Sequence, residues 1–283
     1  MPVQADRPDI FDRHRRAVRR GQRRGADYLS GVIAEQLLER LDDVQRPFVD
    51  ALIIGGRDAV LADALTARNI RVTTFEQAGS GDIVGDEDLL PVTPASYDLI
   101  LWPGGLESVN DVPGALLRCR HALRPDGLLL GCLFGDGSLP NLRRALAEAA
   151  APQAVARMHP QIDLASLGGL LSGVGLALPV VDVERMHLAY RSIDALVADL
   201  RGAVLTNVMA GAPHRMTRRQ WSTARAAFMA GSDNEGRTIE SLRLMHFSGW
   251  APHASQPQPA RRGSATASLA DALKGGNTQS SDR

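Results

Sequence analysis

Residues 51–61 constrain the fold more than any other segment, because they combine a buried strand, a glycine turn and the start of a helix. Ile53 and Ile54 are β-branched and apolar, as a strand buried on both faces requires. Gly55 and Gly56 supply the backbone freedom of a sharp turn. A strand, glycine turn and helix direct backbone N–H groups at one point, which is a natural site for a nucleotide-like ligand.

Strand and helix patterns alternate along the rest of the chain. Predicted strands cover 49–54, 70–75, 83–84, 97–102, 128–134, 178–183 (with an extension to 190 left open) and 240–248. Predicted helices cover 26–43, 58–67, 110–123, 142–150, 163–171, 192–201 and 217–230. This alternation predicts an α/β fold with βαβ units and a mostly parallel sheet.

Composition narrows the function classes. The 32 basic and 32 acidic residues among 283 balance, so no global charge favours nucleic acid or an anionic membrane. No segment approaches the roughly 18 apolar residues of a membrane span, and the polar N-terminus predicts no signal peptide. Cys119 and Cys132 lie in apolar segments and are predicted to be reduced, buried thiols, so we expect a cytoplasmic protein.

Carboxylates follow the second and third predicted strands. Glu76 lies about 20 positions after Gly55, where an acidic residue accepts hydrogen bonds from ribose hydroxyls. An acidic residue in the loop containing Asp86 and Glu87 is a candidate acceptor for an adenine amino group. These positions together predict a nucleotide-type pocket, although an acidic strand end is more often simply solvated.

Other candidates are weaker. None of the seven histidines has ligand-like spacing with another, so no metal site is predicted. Glu107 is either a general base or a solvated loop acid, and no catalytic residue is assigned. The arginine-rich run at 13–24 is interpreted as a solvated face, with docking of an acidic partner as the alternative.

The core of the chain, about residues 47–135, resembles the class I S-adenosylmethionine (SAM) dependent methyltransferases. The motifs that carry this resemblance are the glycine turn, Glu76, Gly85-Asp86 with Leu90-Pro91, Tyr97-Asp98-Leu99-Ile100, and Leu123-x-Pro125-x-Gly127. The resemblance implies a Rossmann-like sheet whose last strand is inserted antiparallel, with helical additions. It also implies that SAM is bound by Gly55, Gly56, Arg57, Glu76, Asp86 and Glu87. The chain departs from the family at Ile53, Arg57 and Ala59, and Arg57 would either pair with the methionine carboxylate or fill the site.

A closer resemblance, over nearly the whole chain, is to the mitochondrial complex I assembly factors and their alphaproteobacterial relatives; the biotin-pathway carboxyl methyltransferases are a weaker match. It rests on Ile10-Phe11-Asp12-Arg13, Val109-Asn110-Asp111-Val112-Pro113, Gly131-Cys132-Leu133-Phe134-Gly135 and a tail signature from Gly249-Trp250 to Arg261-Arg262-Gly263-Ser264-Ala265. That family is associated with arginine hydroxylation on a complex I subunit.

Two functions are therefore expected. The first is a SAM-dependent methyltransferase-like protein acting on a protein or small-molecule substrate. The second is a repurposed complex I assembly factor, including protein-arginine hydroxylation, without methyl transfer, whose partner would be a complex I subunit. The predicted organisation is a basic arm and helix at 1–46, the α/β domain at 47–250 and a Pro/Ser/Gly-rich tail at 251–283.

Overall fold

The computed structural model describes residues 9–21, 28–56, 59–79, 81–152, 155–211 and 215–256. These residues form one seven-stranded sheet with the strand order β3-β2-β1-β4-β5-β7-β6. The strands are β1 Asp50–Ile54, β2 Arg71–Glu76, β3 Ile83–Val84, β4 Tyr97–Trp102, β5 Leu123–Phe134, β6 Ala177–Tyr190 and β7 Thr238–Trp250. The helices are α1 Arg13–Gly21, α2 Tyr28–Asp42, α3 Val60–Ala67, α4 Val112–Ala122, α5 Pro140–Ala150, α6 Leu164–Gly173, α7 Ile193–Gly202 and α8 Arg218–Met229.

The direction of the strands confirms the predicted mixed sheet. Strands β1 to β5 pair in parallel. The last strand, β7, lies antiparallel between β5 and β6 and pairs with both. The carboxyl ends of β1, β2 and β4 therefore meet at one edge of the sheet, and this edge holds the candidate site.

Pro125-Asp126-Gly127 is typical of a turn, so the sequence predicts a turn there and a strand that begins at 128. Strand β5 is longer than this, because these three residues lie inside it. Tyr97 pairs with Leu123, but Leu99 already pairs with Leu128, so residues 124–127 of β5 bulge away from β4. The turn prediction was right about the local backbone, since Asp126 has φ 64°. It was wrong about where the strand begins, because pairing resumes across the bulge.

Two apolar layers cover the sheet. One side packs β1 and β4 residues such as Leu52, Ile100 and Trp102 against α4 and α6. The other side packs Ile53 and Leu101 against α2 and α3. Both cysteines are free and buried, which confirms the predicted reduced thiols.

The structure divides into one unit that ends at Pro252 and a short second unit that begins at His253. Most of the tail signature, from residue 257 onward, lies outside the described residues, and the predicted three-part organisation remains a prediction. Within the described part of the chain, no helix combines the length and the apolar character needed to cross a lipid bilayer.

Candidate ligand cleft at the carboxyl edge of the sheet

The glycine turn after β1 has the geometry that the sequence predicts. Gly55 has φ 70°, in the left-handed region that suits glycine. Its N–H donates to the Phe75 carbonyl at 2.8 Å, which fixes the turn against the end of β2. A Cβ atom on Gly56 would lie 2.4 Å from Ile53 Cγ2, so this position also requires a glycine. Arg57, which was expected either to pair with the methionine carboxylate or to fill the site, lies outside the described residues.

Two arginines of α1 enter the space above this turn. A Cβ atom on Gly55 would lie 3.1 Å from the Arg20 guanidinium, and one on Gly105 would lie 2.6 Å from Arg20 Nη2. Arg20 therefore bridges the turns that follow β1 and β4. Arg16 lies beside it and donates to the Gly105 carbonyl at 2.8 Å. Both turns depend on glycine because a side chain there would displace these guanidinium groups.

Glu87 forms ion pairs with both arginines. Its Oε2 accepts from Arg16 at 2.7 Å and its Oε1 accepts from Arg20 at 3.0 Å. Glu87 is fully buried, and the two arginine side chains are only 6% and 4% exposed. Burial alone would raise the pKa of Glu87, but the two guanidinium charges outweigh it and hold that pKa below its ordinary value. A carboxylate with two charged donors is well compensated for its loss of hydration.

The other two predicted carboxylates also contact α1. Glu76 Oε2, at the end of β2, lies 3.9 Å from Arg20 Nη1. Asp86 begins a short 3-10 helix, accepting from the Asp88 N–H at 3.0 Å, and lies 3.3 Å from Arg13. The structure thus brings Glu76, Asp86 and Glu87 to one edge of the sheet, next to the same helix. Their contact with a cofactor remains a prediction.

The interpretation of the basic run as a solvated face was wrong for Arg16 and Arg20, which are buried even when their backbone atoms are counted. A signal was present in the sequence: the two arginines are four residues apart, on one face of a helix, and Asp86, Glu87 and Asp88 form a matching acidic run. Long-range pairing of this kind follows only from the fold, because 67 residues separate Arg20 from Glu87.

One atom in the cleft lacks a partner. Arg20 Nη2 is buried and makes no hydrogen bond with any described residue, although it lies between Gly55 and Gly105. Leaving a buried donor unsatisfied costs about 1–3 kcal/mol, and more for a charged group. The cleft therefore favours an anionic ligand group beside Arg20. Over the same described residues, no cluster of His, Cys, Asp and Glu could hold a metal ion.

Comparison with known proteins gives relatives over most of the chain. No protein-family model matches it. The mitochondrial arginine-hydroxylase NDUFAF5 of Danio rerio is 29% identical over 271 residues, covering 90% of this chain and 84% of that protein. The human protein of the same name is 27% identical over 287 residues, covering 93% and 83%. The malonyl-[acyl-carrier protein] O-methyltransferase of Xylella fastidiosa (strain M23) is 32% identical over 176 residues, covering 62% and 58%.

A solved structure supports the fold assignment. Protein BH2331 of Bacillus halodurans C-125, assigned to the methyltransferases, aligns with 78% of this chain and 99% of its own, with a TM-score of 0.51 and 11% sequence identity. At this identity the similarity shows the fold alone. The Rossmann-like fold predicted from the sequence is confirmed.

Proposed function

We propose that the cleft at Gly55 binds SAM, because the chain is similar to the NDUFAF5 arginine hydroxylases over most of its length and shares the fold of a solved methyltransferase. The observation that carries this proposal is the buried Nη2 of Arg20 between Gly55 and Gly105, which has no hydrogen-bond partner among the described residues. The methionine part of SAM has a carboxylate, which would accept from this donor. A charge-assisted hydrogen bond there would remove the cost of the unsatisfied guanidinium nitrogen.

The residues around the cleft suit the other parts of the cofactor. Glu76, at the end of β2, would accept from the ribose hydroxyls, and Asp86 would accept from the adenine amino group. Because Gly55 and Gly105 lack side chains, the Arg20 guanidinium can lie against both turns, where the ligand carboxylate would meet it. Glu87 supports the site indirectly, since both of its oxygens already hold arginines.

When bound, SAM supplies an electrophilic methyl group, so the chemistry belongs mainly to the cofactor. The protein's part is to bind it, orient it and exclude water, and no general acid or base is required for methyl transfer to an aligned nucleophile. Helix α1 serves this purpose because Arg16 and Arg20 cover the cleft from one side.

Isothermal titration calorimetry and thermal-shift measurements with SAM and its demethylated product test the proposal. We expect both ligands to bind the full chain and to raise its melting temperature. Arg20→Ala should weaken SAM binding about tenfold or more, the equivalent of about 1.4 kcal/mol. Arg20→Lys should retain part of the affinity. Arg71→Ala is the matched control, because Arg71 is exposed and lies at the amino end of β2, paired with Asp50.

Two outcomes contradict the proposal. The first is that neither ligand gives a heat of binding or raises the melting temperature. The second is that the Arg20→Ala variant binds SAM more tightly than the unaltered chain. The second result would mean that the guanidinium only fills the cleft and that its unpartnered nitrogen does not recognise a ligand.

A second candidate function is arginine hydroxylation or assembly of respiratory complex I without methyl transfer. The coverage of the relatives favours it: alignment with the arginine-hydroxylase NDUFAF5 of Danio rerio spans 90% of this chain, against 62% for the malonyl-[acyl-carrier protein] O-methyltransferase of Xylella fastidiosa. Affinity purification of the full chain from its host should then recover complex I subunits. Mass spectrometry should find one oxygen atom added to an arginine of such a subunit, and a strain lacking the chain should lose this modification. Recovery of no complex I subunit would count against this function.

A further inference from the structure

A separate cavity of about 550 Å³ adjoins α1 on a neighbouring face of the helix. Arg16 and Arg20 turn to the cleft, whereas Arg15 and Arg19, one position earlier in each case, line the cavity. The volume lies in the range of roughly 300–1,000 Å³ that holds small-molecule ligands. This cavity is not the SAM cleft, because neither Gly55 nor Glu76 lines it.

The interior of the cavity is apolar. Helix α5 contributes Leu142 and Leu146, α7 contributes Val197 and Leu200, and α8 contributes Trp221. All three helices follow β5 in the chain. Such a wall stabilises a ligand with an extended hydrocarbon part, because it removes that part from water.

The charged residues of the cavity are almost all positive. Five arginines (Arg15, Arg19, Arg157, Arg201 and Arg215) line it, against the single carboxylate of Glu107. Glu107 is already engaged, since it accepts from the Gly105 N–H at 3.0 Å. Arg15 is likewise paired, with Asp12 at 3.2 Å. The cavity still combines an apolar interior with an excess of guanidinium groups.

Several of these arginines have no acidic partner in the part of the chain that the structure describes. Arg19 donates to Thr206 Oγ1, a neutral partner. Neither Arg19, Arg201 nor Arg215 forms an ion pair with any acidic residue in the described ranges. Burial lowers the pKa of Arg19, and the charges of Arg15 and Arg201 lower it further. These like charges repel one another, and an anion placed among them would relieve that repulsion.

We propose that this cavity binds an amphiphile with one anionic head group and an apolar chain. The head group would lie between Arg19 and Arg201, whose planar guanidinium groups suit carboxylate or phosphate oxygens. The chain would lie along the wall formed by α5 and α7. This site goes beyond SAM binding and does not require it. A cationic side chain, such as a substrate arginine, is disfavoured here by like charge.

Calorimetric titration of the full chain with decanoate, below its micelle concentration, tests the proposal. Decyl phosphate distinguishes a phosphate from a carboxylate head group. Three compounds serve as controls. Decan-1-ol has the same chain without the charge, decyltrimethylammonium carries the opposite charge, and butyrate has the carboxylate with a much shorter chain. We expect decanoate or decyl phosphate to bind at least tenfold more tightly than any of these three.

Variants locate the binding site. Arg201→Ala, and Arg19→Ala with Arg201→Ala, should weaken binding of the anion about tenfold or more. Leu146→Trp should weaken binding by filling the apolar part. Arg218→Ala is the matched control, because Arg218 is exposed and lies outside the cavity.

The proposal is overturned if decyltrimethylammonium binds as well as decanoate, if neither anion binds, or if the double arginine variant binds as the unaltered chain does. Titration of the Arg201→Ala variant with SAM separates the two proposals. Unchanged SAM binding with lost decanoate binding supports two independent sites, and failure of decanoate alone leaves the SAM proposal intact.

Discussion

Replacing Glu87 by alanine should lower the free energy of unfolding by about 3–5 kcal/mol, as expected when one partner of a buried ion pair is removed. The variant would leave Arg16 and Arg20 buried without the carboxylate that both of them contact, at 2.7 and 3.0 Å. For a chain of this size the melting temperature should fall by roughly 10 °C. Urea unfolding followed by circular dichroism measures the effect.

Glu148→Ala is the matched control for this change. Glu148 also pairs with an arginine, Arg144, at 3.1 Å, but both side chains are exposed, so its loss should cost less than about 1 kcal/mol. Acid provides a second check. The pKa of Glu87 in the folded chain lies below its unfolded value, so its contribution is present above that unfolded value of about 4.5 and is lost as the pH falls through the folded pKa. The difference between the unaltered chain and Glu87→Ala should therefore shrink in acid. A difference that grows as the pH falls would contradict this account of Glu87.

Replacing Gly55 by valine should lower SAM affinity about a hundredfold, the equivalent of about 2.7 kcal/mol. The residue has φ 70°, and its Cβ would lie 3.1 Å from the guanidinium of Arg20. The added side chain would move Arg20 out of the space between the two turns and fill the cleft itself. The left-handed backbone conformation adds a stability cost of about 1–2 kcal/mol. Calorimetry with SAM measures the first effect and thermal unfolding the second.

Gly236→Val separates these two effects. Gly236 has the same φ of 70°, and no atom lies within 4 Å of the position its Cβ would take. This variant should therefore carry a similar backbone cost and keep its SAM affinity. Equal SAM affinity in the two variants would mean that the space beside Gly55 is not a binding site.

Strands β1 to β4 could be predicted from the sequence because they are short, two to six residues each, and lie between clear turn signals. Residues 97–102 and 83–84 were predicted at the bounds that the structure has. The longer strands were predicted less completely. Strand β5 begins five residues before its predicted start at 128, and the extension of β6 to Tyr190 is settled by twelve paired positions with β7 rather than by its own alternating pattern. Pairing with a distant strand is a property of the fold, which a local pattern cannot contain.

The candidate cleft could be predicted only in part. The order of Gly55, Glu76 and Glu87 was visible, because residues that follow parallel strands meet at one edge of a sheet. The burial of Arg16 and Arg20 was not, since a helix of arginines is usually solvated and its neutralising carboxylate lies far along the chain. The arginine-lined cavity was also missed, because its charged residues come from separate segments that only the folded chain brings together.

The position of β7 has a consequence for synthesis. This strand, residues Thr238–Trp250, occupies an interior place in the sheet and pairs on both sides. While the ribosome is still making the polypeptide, β5 and β6 cannot yet be joined, and each has a free edge of backbone N–H and C=O groups that can pair with other nascent chains. Completion of the sheet must therefore wait until Trp250 has left the ribosomal exit tunnel, so a premature stop codon before residue 238 would yield an aggregation-prone product rather than a smaller folded protein.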